Sequence, residues 1–166
     1  MVPPQPLWAP WRARYVQAPK GGQCVFCRAA EGDDPLLVLR GSGVSAILNA
    51  FPYAPGHLML FPHRHLPAPG DLNQLEQAEL WSLLCRCLDG MREVMKPAGF
   101  NVGLNLGRVA GAGIPGHLHL HVVPRWEGDH NFMPVLAETT VISQALEETA
   151  AALRAALSSP SRQGEP

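Results

Sequence analysis

The segment at 117–123 (HLHLHVV) constrains the fold more than any other part of the chain, because three histidines alternate with apolar residues. Successive side chains of a β-strand point to opposite faces, so the pattern predicts a strand with His117, His119 and His121 on one face and an apolar row on the other. Buried imidazole nitrogens need hydrogen-bond partners, which favours a cleft over a packed core on the histidine face. We therefore expect the chemistry of the protein to lie on this face.

A glycine-rich loop directly precedes the histidine strand. Residues 107–116 (GRVAGAGIPG) include four glycines, and such a loop lets backbone N–H groups approach an anion closely. Asn101 and Asn105 lie on the polar face of a predicted neighbouring strand. Histidines, amides and a glycine-rich loop suit phosphate chemistry, because a neutral imidazole is a nucleophile at pH 7 and a protonated one can hold phosphate oxygens.

A metal-dependent enzyme of the cupin type is the alternative interpretation of the histidine strand. A His-x-His strand can also bind zinc or iron. Such an enzyme would place a glutamate three or four residues after His-x-His, whereas the first carboxylate after His121 is Glu127. The spacing disfavours this alternative.

The remaining periodicity predicts an α+β fold with an antiparallel sheet. We expect strands over 36–39, 44–49, 57–61, 101–106 and 117–123, the last one ended by Pro124. A long helix is expected over 71–95 with Asp71 as its N-cap, and a second helix over 143–157 with Ser143 as its N-cap. The apolar stripe that should bury the long helix consists of Trp81, Leu84, Leu88, Met91 and Met95.

Composition excludes several classes of protein. The 166 residues are 46% hydrophobic with a formal net charge of -1, so a core can form and no basic surplus exists for coating nucleic acid. No apolar run approaches the ~20 residues that span a bilayer, and the proline-rich N-terminus lacks the pattern of a signal peptide. We expect a cytoplasmic protein without nucleic-acid or membrane partners. Its single domain should cover 7–157, with an aromatic and basic arm at 7–23 and mobile tails at 1–6 and 158–166.

The alternation of the three histidines resembles the signature H-φ-H-φ-H-φ-φ, with φ apolar, of the histidine triad (HIT) superfamily. The pattern from Asn49 through Pro55-Gly-His57 to Pro62-x-x-His65 resembles the upstream half of the same domain. The arm Leu7-Trp8-x-Pro-x-Arg12-x-x-Tyr15 and the segment 124–132 resemble the bacterial diadenosine polyphosphate phosphorylase branch of the superfamily.

The resemblance implies an HIT-like fold with about five antiparallel strands, one long helix and a C-terminal helix. It also implies a nucleotidyl transferase or hydrolase that cleaves dinucleoside polyphosphates. His119 would attack the α-phosphorus to form a covalent nucleotidyl-histidine, which water or phosphate then releases. The implied catalytic residues are His119, His121, which holds phosphate oxygens, His117, and His57, which orients the cluster. The implied nucleotide- and phosphate-binding residues are Asn49, Asn105, Gly111, Ala112, Gly113, His121 and Trp126.

The loop departs from the family pattern at one point. Histidine triad enzymes often carry Ser or Gln about four residues before the first triad histidine, whereas residues 112–115 here are Ala, Gly, Ile and Pro. The side-chain donor for phosphate is missing, which leaves the choice between hydrolysis and phosphorolysis open. A nucleotide-binding signalling module with weak nucleoside phosphoramidate hydrolase activity is the alternative function.

Cys24 and Cys27 form a C-x-x-C, which in a reducing compartment indicates a metal or redox site rather than a structural disulfide. The resemblance implies that His65 and His117 complete a Cys₂His₂ site for a structural zinc, with His63 as the competitor of His65. It implies no organic cofactor. It also implies a homodimer built around the long helix, for which a second apolar row is available: Leu80, Cys87 and Val94.

Overall fold

A five-stranded antiparallel sheet organises the protein, which we describe from a computed structural model over residues 23–129 and 145–158. The strands are β1 (Leu37–Arg40), β2 (Val44–Leu48), β3 (Leu58–Pro62), β4 (Gly99–Leu104) and β5 (Leu120–Arg125). The helices are α1 (Val25–Glu31), α2 (Gln74–Met95) and α3 (Leu146–Ser158). The strand order β1-β2-β3-β5-β4, antiparallel throughout, confirms the expected α+β fold. The described sheet is open with β1 and β4 at its edges, so it does not form the barrel of the cupin-like alternative.

The two faces of the sheet have different coverings. Apolar side chains of one face form the main core with α2 and α3, and they include Val44, Ala46, Leu48, Leu58, Leu60, Leu118, Leu120 and Val122. On the opposite face, Phe26 and Ala29 of α1 pack with Ile47 and Phe61 in a smaller cluster. The histidine strand therefore buries its apolar row in the main core, as the alternation predicts, and presents its histidines to the α1 side.

The N-cap of helix α2 lies two residues later than expected. Asn73 is the N-cap: its side chain accepts the Glu76 N–H, and the Glu76 carboxylate accepts the Asn73 N–H, which completes a capping box. The expected N-cap, Asp71, instead lies in a short 3₁₀ turn, Pro69–Asp71. The Arg64 guanidinium binds the buried Glu76 carboxylate at 2.6 Å and holds the pKa of Glu76 below its usual range.

The apolar stripe of α2 is rotated from its expected position. Trp81 is 61% exposed, while the buried apolar side chains are Leu80, Leu83, Leu84, Cys87 and Met91. Helix α3 explains the rotation because it packs against α2, so closely at Gly90 that an added Cβ would lie 2.9 Å from Leu157. Leu80 and Cys87, two members of the row expected to form a dimer contact, are consequently buried within the chain.

The sequence did not lead us to expect α1, whose seven residues are too few for a visible period. The Arg40 guanidinium of β1 donates to the carbonyls of Ala29, Ala30 and Gly32, so it satisfies acceptors that the end of α1 leaves unpaired. This contact fixes α1 against the edge of the sheet.

Strand β5 starts later and ends later than expected. It runs from Leu120 to Arg125, and Pro124 does not end it because the β3 ladder stops at Val122, so no N–H is needed there. Residues 7–22 of the expected arm, the tail at 1–6 and the Ser143 cap lie outside the described residues. The same holds for the tail beyond Ser158, which is the last residue of α3. Within the described ranges, no helix combines the length and hydropathy needed to cross a bilayer.

Candidate functional site

Three neighbouring strands bring the histidines to one place. His121 of β5 pairs with Met59 of β3 on one side and with Gly103 of β4 on the other. His119 lies just before β5, and its ring centroid is 4.9 Å from that of His121. Leu118, Leu120 and Val122 point into the opposite core, so the expected alternation is confirmed at these positions.

The surroundings of His119 determine which of its nitrogens is reactive. Nδ1 lies 2.8 Å from the His117 carbonyl oxygen, which can only accept, so Nδ1 carries the proton. Nε2 is therefore the nitrogen with the free lone pair. Burial lowers the pKa of His119, and its ring packs 4.9 Å from that of Phe26. His119 is thus a neutral imidazole at pH 7, in the form that acts as a nucleophile.

A chain of donors fixes the tautomer of His121. The Tyr53 backbone N–H donates to Nδ1 of the fully buried His57 at 3.1 Å, so the proton of His57 is on Nε2. His57 Nε2 donates to His121 Nδ1 at 2.9 Å, so the proton of His121 is on its own Nε2. The Asn105 amide lies 3.5 Å from this Nε2. His121 therefore has one N–H available for a ligand oxygen.

Both members of this histidine pair are neutral at pH 7. Burial, followed by the nearby His121 and His119, lowers the pKa of His57 to about 3. Burial and then His119 lower the pKa of His121 to about 4. These surroundings oppose the protonated imidazole expected beside the nucleophile, and they favour His121 as a neutral donor through Nε2–H.

A cavity of about 430 Å³ opens over His119 and His121, a size typical of small-molecule sites. One wall is apolar and consists of Phe26, Leu36, Ile47, Met59 and Ile114. The other wall contains Asn49, the two histidines and the loop residues Gly111, Ala112 and Gly113. Gly107 and Gly111 have positive φ values of 84° and 89°, which explains the need for glycine on either side of the turn between them.

Four residues expected at this site do not line the cavity. Two of them, His57 and Asn105, contact His121 instead, and the other two are Trp126 and His117. The Trp126 indole N–H donates to the Met95 carbonyl at the end of α2, at 3.3 Å, and Trp126 is not among the cavity-lining residues. His117 does not line the cavity either, and contributes its carbonyl rather than its ring to the nucleophile. Asn49 lines the cavity, where its Oδ1 accepts the Phe51 N–H at 2.9 Å and its amide nitrogen lies 3.3 Å from His57 Nδ1. The amide keeps a second N–H and a second lone pair for a ligand.

Several cavity residues were not anticipated from the sequence, namely Phe26, Arg28, Asp34, Tyr53 and Arg108. Phe26 stands between the two cysteines of the C-x-x-C, and the metal interpretation of that motif gave no reason to place an aromatic ring beside His119. The sequence could have indicated Arg108 as a binding residue, because it is the sole charged residue of the loop at 107–116.

A second group of side chains lies next to the histidine site. The ligand atoms of Cys24, Cys27, His65 and His117 all lie within 4.8 Å of one another, with Cys Sγ to His Nδ1 distances of 3.3–3.6 Å. Tetrahedral zinc with Zn–S of about 2.3 Å and Zn–N of about 2.0 Å separates its ligands by roughly 3.3–3.8 Å, so the group fits such an ion. His63 instead binds the buried Ser45 hydroxyl at 2.8 Å, which supports His65 as the ligand.

The orientation of His117 supports the same conclusion. Its Nε2 donates to the Pro62 carbonyl at 2.7 Å, so Nδ1, the nitrogen nearest both sulfurs, keeps its lone pair for a metal. A second hydrogen bond of this kind is typical of metal-ligating histidines. Burial and the adjacent Cys24 raise the pKa of Cys27, as expected for two thiols that share a site.

The open antiparallel sheet, the alternating histidines and the glycine-rich loop define the class of protein, and a family model agrees. The chain belongs to the HIT domain family, whose model matches residues 33–128. An AP-4-A phosphorylase of Mycobacterium tuberculosis is 42% identical over 156 residues, which covers 87% of this chain and 80% of that protein.

Solved structures show the same relationship. A Zn-bound histidine triad family protein from Mycobacterium smegmatis is 30% identical, with a TM-score of 0.66 over 81% of this chain and 93% of that one. A uridylyltransferase matches 90% of this chain with a TM-score of 0.67 at 26% identity. This chain spans about half of the uridylyltransferase, 49% of its length.

Proposed function

We propose that this protein is a nucleotidyl transferase or hydrolase that cleaves dinucleoside polyphosphates such as diadenosine tetraphosphate. The observation that carries the proposal is the His119 ring, whose Nδ1–H is held by the His117 carbonyl while its neutral Nε2 is free to attack in a cavity of suitable size. The similarity to an AP-4-A phosphorylase, at 42% identity, supports the same substrate class.

The proposed reaction has two displacement steps at one phosphorus. His119 Nε2 attacks the α-phosphorus, and the bond to the bridging oxygen breaks with its electron pair on the departing nucleoside polyphosphate. An oxygen of phosphate or water then attacks the same phosphorus, the P–N bond breaks, and neutral His119 returns. When water is the acceptor, its proton passes to solvent.

The surrounding groups stabilise charge in both steps. The nucleotidylated imidazole is cationic, and the His117 carbonyl accepts the Nδ1–H on which part of that charge resides. The His121 Nε2–H can donate to a nonbridging oxygen, because His57 occupies its Nδ1. Backbone N–H groups at Gly111 to Gly113 are the proposed partners of the remaining oxygens, and Asn49 and Asn105 are proposed to bind the nucleotide beside them.

Product analysis tests the proposal. Diadenosine tetraphosphate would be incubated with and without inorganic phosphate, and the nucleotides separated. ATP plus ADP indicates phosphorolysis and ATP plus AMP indicates hydrolysis, and both outcomes agree with cleavage at the α-phosphorus. Two ADP would require cleavage at the central bridge, which an attack on the α-phosphorus cannot produce. No turnover at all would favour the signalling-module alternative.

We propose that the Cys24, Cys27, His65 and His117 group binds a structural zinc. Four protein ligands leave no open position for substrate, which assigns the ion to stability rather than to chemistry. It would tie the start of α1 to the segments after β3 and before β5. Thiolate ligands fit the reducing cytoplasm expected from the sequence.

We propose further that the protein is a homodimer. Among the described strands, β4 is an edge whose outer backbone groups pair with no other strand, and Val102 on it is 42% exposed. Trp81, which α3 leaves uncovered on α2, adds an exposed aromatic ring that a second copy would cover. Light scattering at micromolar concentration checks this, since a mass near 17.9 kDa would indicate a monomer.

A further inference from the structure

The rim of the cavity carries positive charge that the steps above do not use. Among the described lining residues, two are cationic, Arg28 on α1 and Arg108 on the loop, and one is a carboxylate, Asp34. The Asp34 carboxylate already accepts the Leu36 N–H at 2.9 Å. Within 23–129 and 145–158, no hydrogen bond or ion pair reaches the guanidinium of Arg108 or of Arg28, and both residues are exposed.

The loop holds Arg108 in a defined place. Residues Arg108–Ala110 form a 3₁₀ turn between Gly107 and Gly111, both with positive φ. The Gly111 N–H donates to the Arg108 carbonyl at 3.0 Å, and the Ala112 N–H donates to the Gly107 carbonyl at 3.2 Å. The turn therefore has its own hydrogen bonds, which do not depend on the guanidinium.

Arg108 is also the one side chain with a strong hydrogen-bond donor in the loop. The positions where a Ser or Gln donor was expected hold Ala112, Gly113, Ile114 and Pro115. Any side-chain stabilisation that the loop gives to phosphate must therefore come from position 108. A guanidinium suits that task, because its planar array of donors binds phosphate oxygens in pairs.

We propose that Arg108, assisted by Arg28, binds the phosphates of the departing nucleotide and thereby selects polyphosphate substrates over simple nucleotide esters. This inference rests on the proposed function and adds its leaving-group subsite. When His119 Nε2 bonds to the α-phosphorus, the bridging oxygen takes the electron pair and becomes a terminal oxygen of the departing triphosphate. Arg108 stabilises this added negative charge without transferring a proton, since arginine stays protonated.

A pair of substrates with the same adenylyl group but different leaving groups tests the inference. One is diadenosine tetraphosphate, and the other is the p-nitrophenyl ester of AMP, whose activated leaving group carries no phosphate. Arg108→Ala should lower kcat/KM for the tetraphosphate roughly 10- to 100-fold and change the value for the ester less than about 3-fold. Arg108→Lys should recover part of the loss, because it keeps the charge without the paired donors. Arg28→Ala should also lower kcat/KM for the tetraphosphate more than for the ester, but by a smaller factor.

A matched control and the contrary outcomes complete the experiment. Arg92 is an exposed arginine of α2 that pairs with Asp89, and Arg92→Ala removes the same charge while leaving both substrates unaffected. An equal loss on both substrates with Arg108→Ala, or no loss on either, would overturn the inference. Wild-type turnover of the ester but not of the tetraphosphate would overturn it too. Turnover of neither substrate would contradict the proposed function itself.

Discussion

The metal group, which consists of Cys24, Cys27, His65 and His117, and the neighbouring histidine site each use one member of the triad. The two triad histidines involved, His117 and His119, expose opposite ring nitrogens. His117 gives its Nε2–H to the Pro62 carbonyl and turns Nδ1 to the two cysteines. His119 gives its Nδ1–H to the His117 carbonyl and keeps Nε2 for the cavity. The same residue type is therefore held in two orientations, one suited to the proposed structural zinc and one to the proposed nucleophile, and the orientation depends on which backbone carbonyl each ring contacts.

The comparison also shows how the two regions are linked. His117 belongs to the metal group through its ring and to the histidine site through its carbonyl, which positions His119. A substitution in the metal group should therefore lower the stability of the fold and reduce activity only as a consequence of that loss. A substitution of His119 should abolish activity without affecting the fold. The following predictions test this separation, from the largest expected effect to the smallest.

Removing the nucleophile should have the largest effect. His119→Ala eliminates the nitrogen that attacks phosphorus, so kcat on diadenosine tetraphosphate should fall about 10⁴-fold or more. His63→Ala is the matched control, because His63 binds Ser45 outside the cavity and should retain activity. An His119→Ala enzyme within 10-fold of wild type would rule out covalent catalysis by this residue.

Removing the phosphate donor should have a smaller effect. His121→Ala deletes an N–H that is aimed at the transferring group, and we expect kcat to fall roughly 10²- to 10³-fold. The loss should appear in kcat more than in KM, since the donor acts where charge develops. If only KM rises, His121 would be a ground-state binding residue instead.

Breaking the metal group should change stability rather than chemistry. Cys24→Ser should remove zinc, as measured by elemental analysis, and should lower Tm by on the order of 5–10 °C. Cys85→Ser is the control, because Cys85 is an exposed cysteine of α2 outside the group. An unchanged zinc content in Cys24→Ser, or a wild-type protein without zinc, would contradict the proposed ligand set.

Acid should lower the free energy of unfolding through the buried histidine pair, and this is the smallest of the expected effects. The pKa of His57 is about 3 in the folded protein and about 6.5 when unfolded, so between these values the unfolded chain binds more protons. The free energy of unfolding should thus decrease as pH falls below 6.5, by about 1 kcal/mol for this residue between pH 7 and 5.5. Urea titrations of wild type and His57→Gln check this, and equal pH slopes would contradict it.

The sequence predicted the histidine face because an alternating strand has only two faces, and burial of Leu118, Leu120 and Val122 decides between them. It predicted the metal group through a resemblance, and the structure brings Cys24, Cys27, His65 and His117 together. Periodicity could not determine which side of α2 is buried. That depends on α3, which follows much later in the chain and shifts Trp81 to the surface.

The tautomers were also beyond prediction from the sequence. They follow from three backbone groups, the carbonyls of Pro62 and His117 and the N–H of Tyr53, whose positions depend on the course of the folded chain. The surroundings oppose the protonated partner expected beside the nucleophile for a related reason. Burial lowers the pKa of a histidine, and no residue pattern reports how deeply His57 is buried.

Trapping the covalent intermediate tests the central claim most directly. Protein would be mixed with diadenosine tetraphosphate in the absence of phosphate, quenched within milliseconds at alkaline pH to preserve a P–N bond, digested, and analysed by mass spectrometry. The account predicts one adenylyl group on the peptide that contains His119, located on that residue by fragmentation and absent from His119→Ala. Turnover without any adduct, or an adduct on His121 or His57, would contradict it.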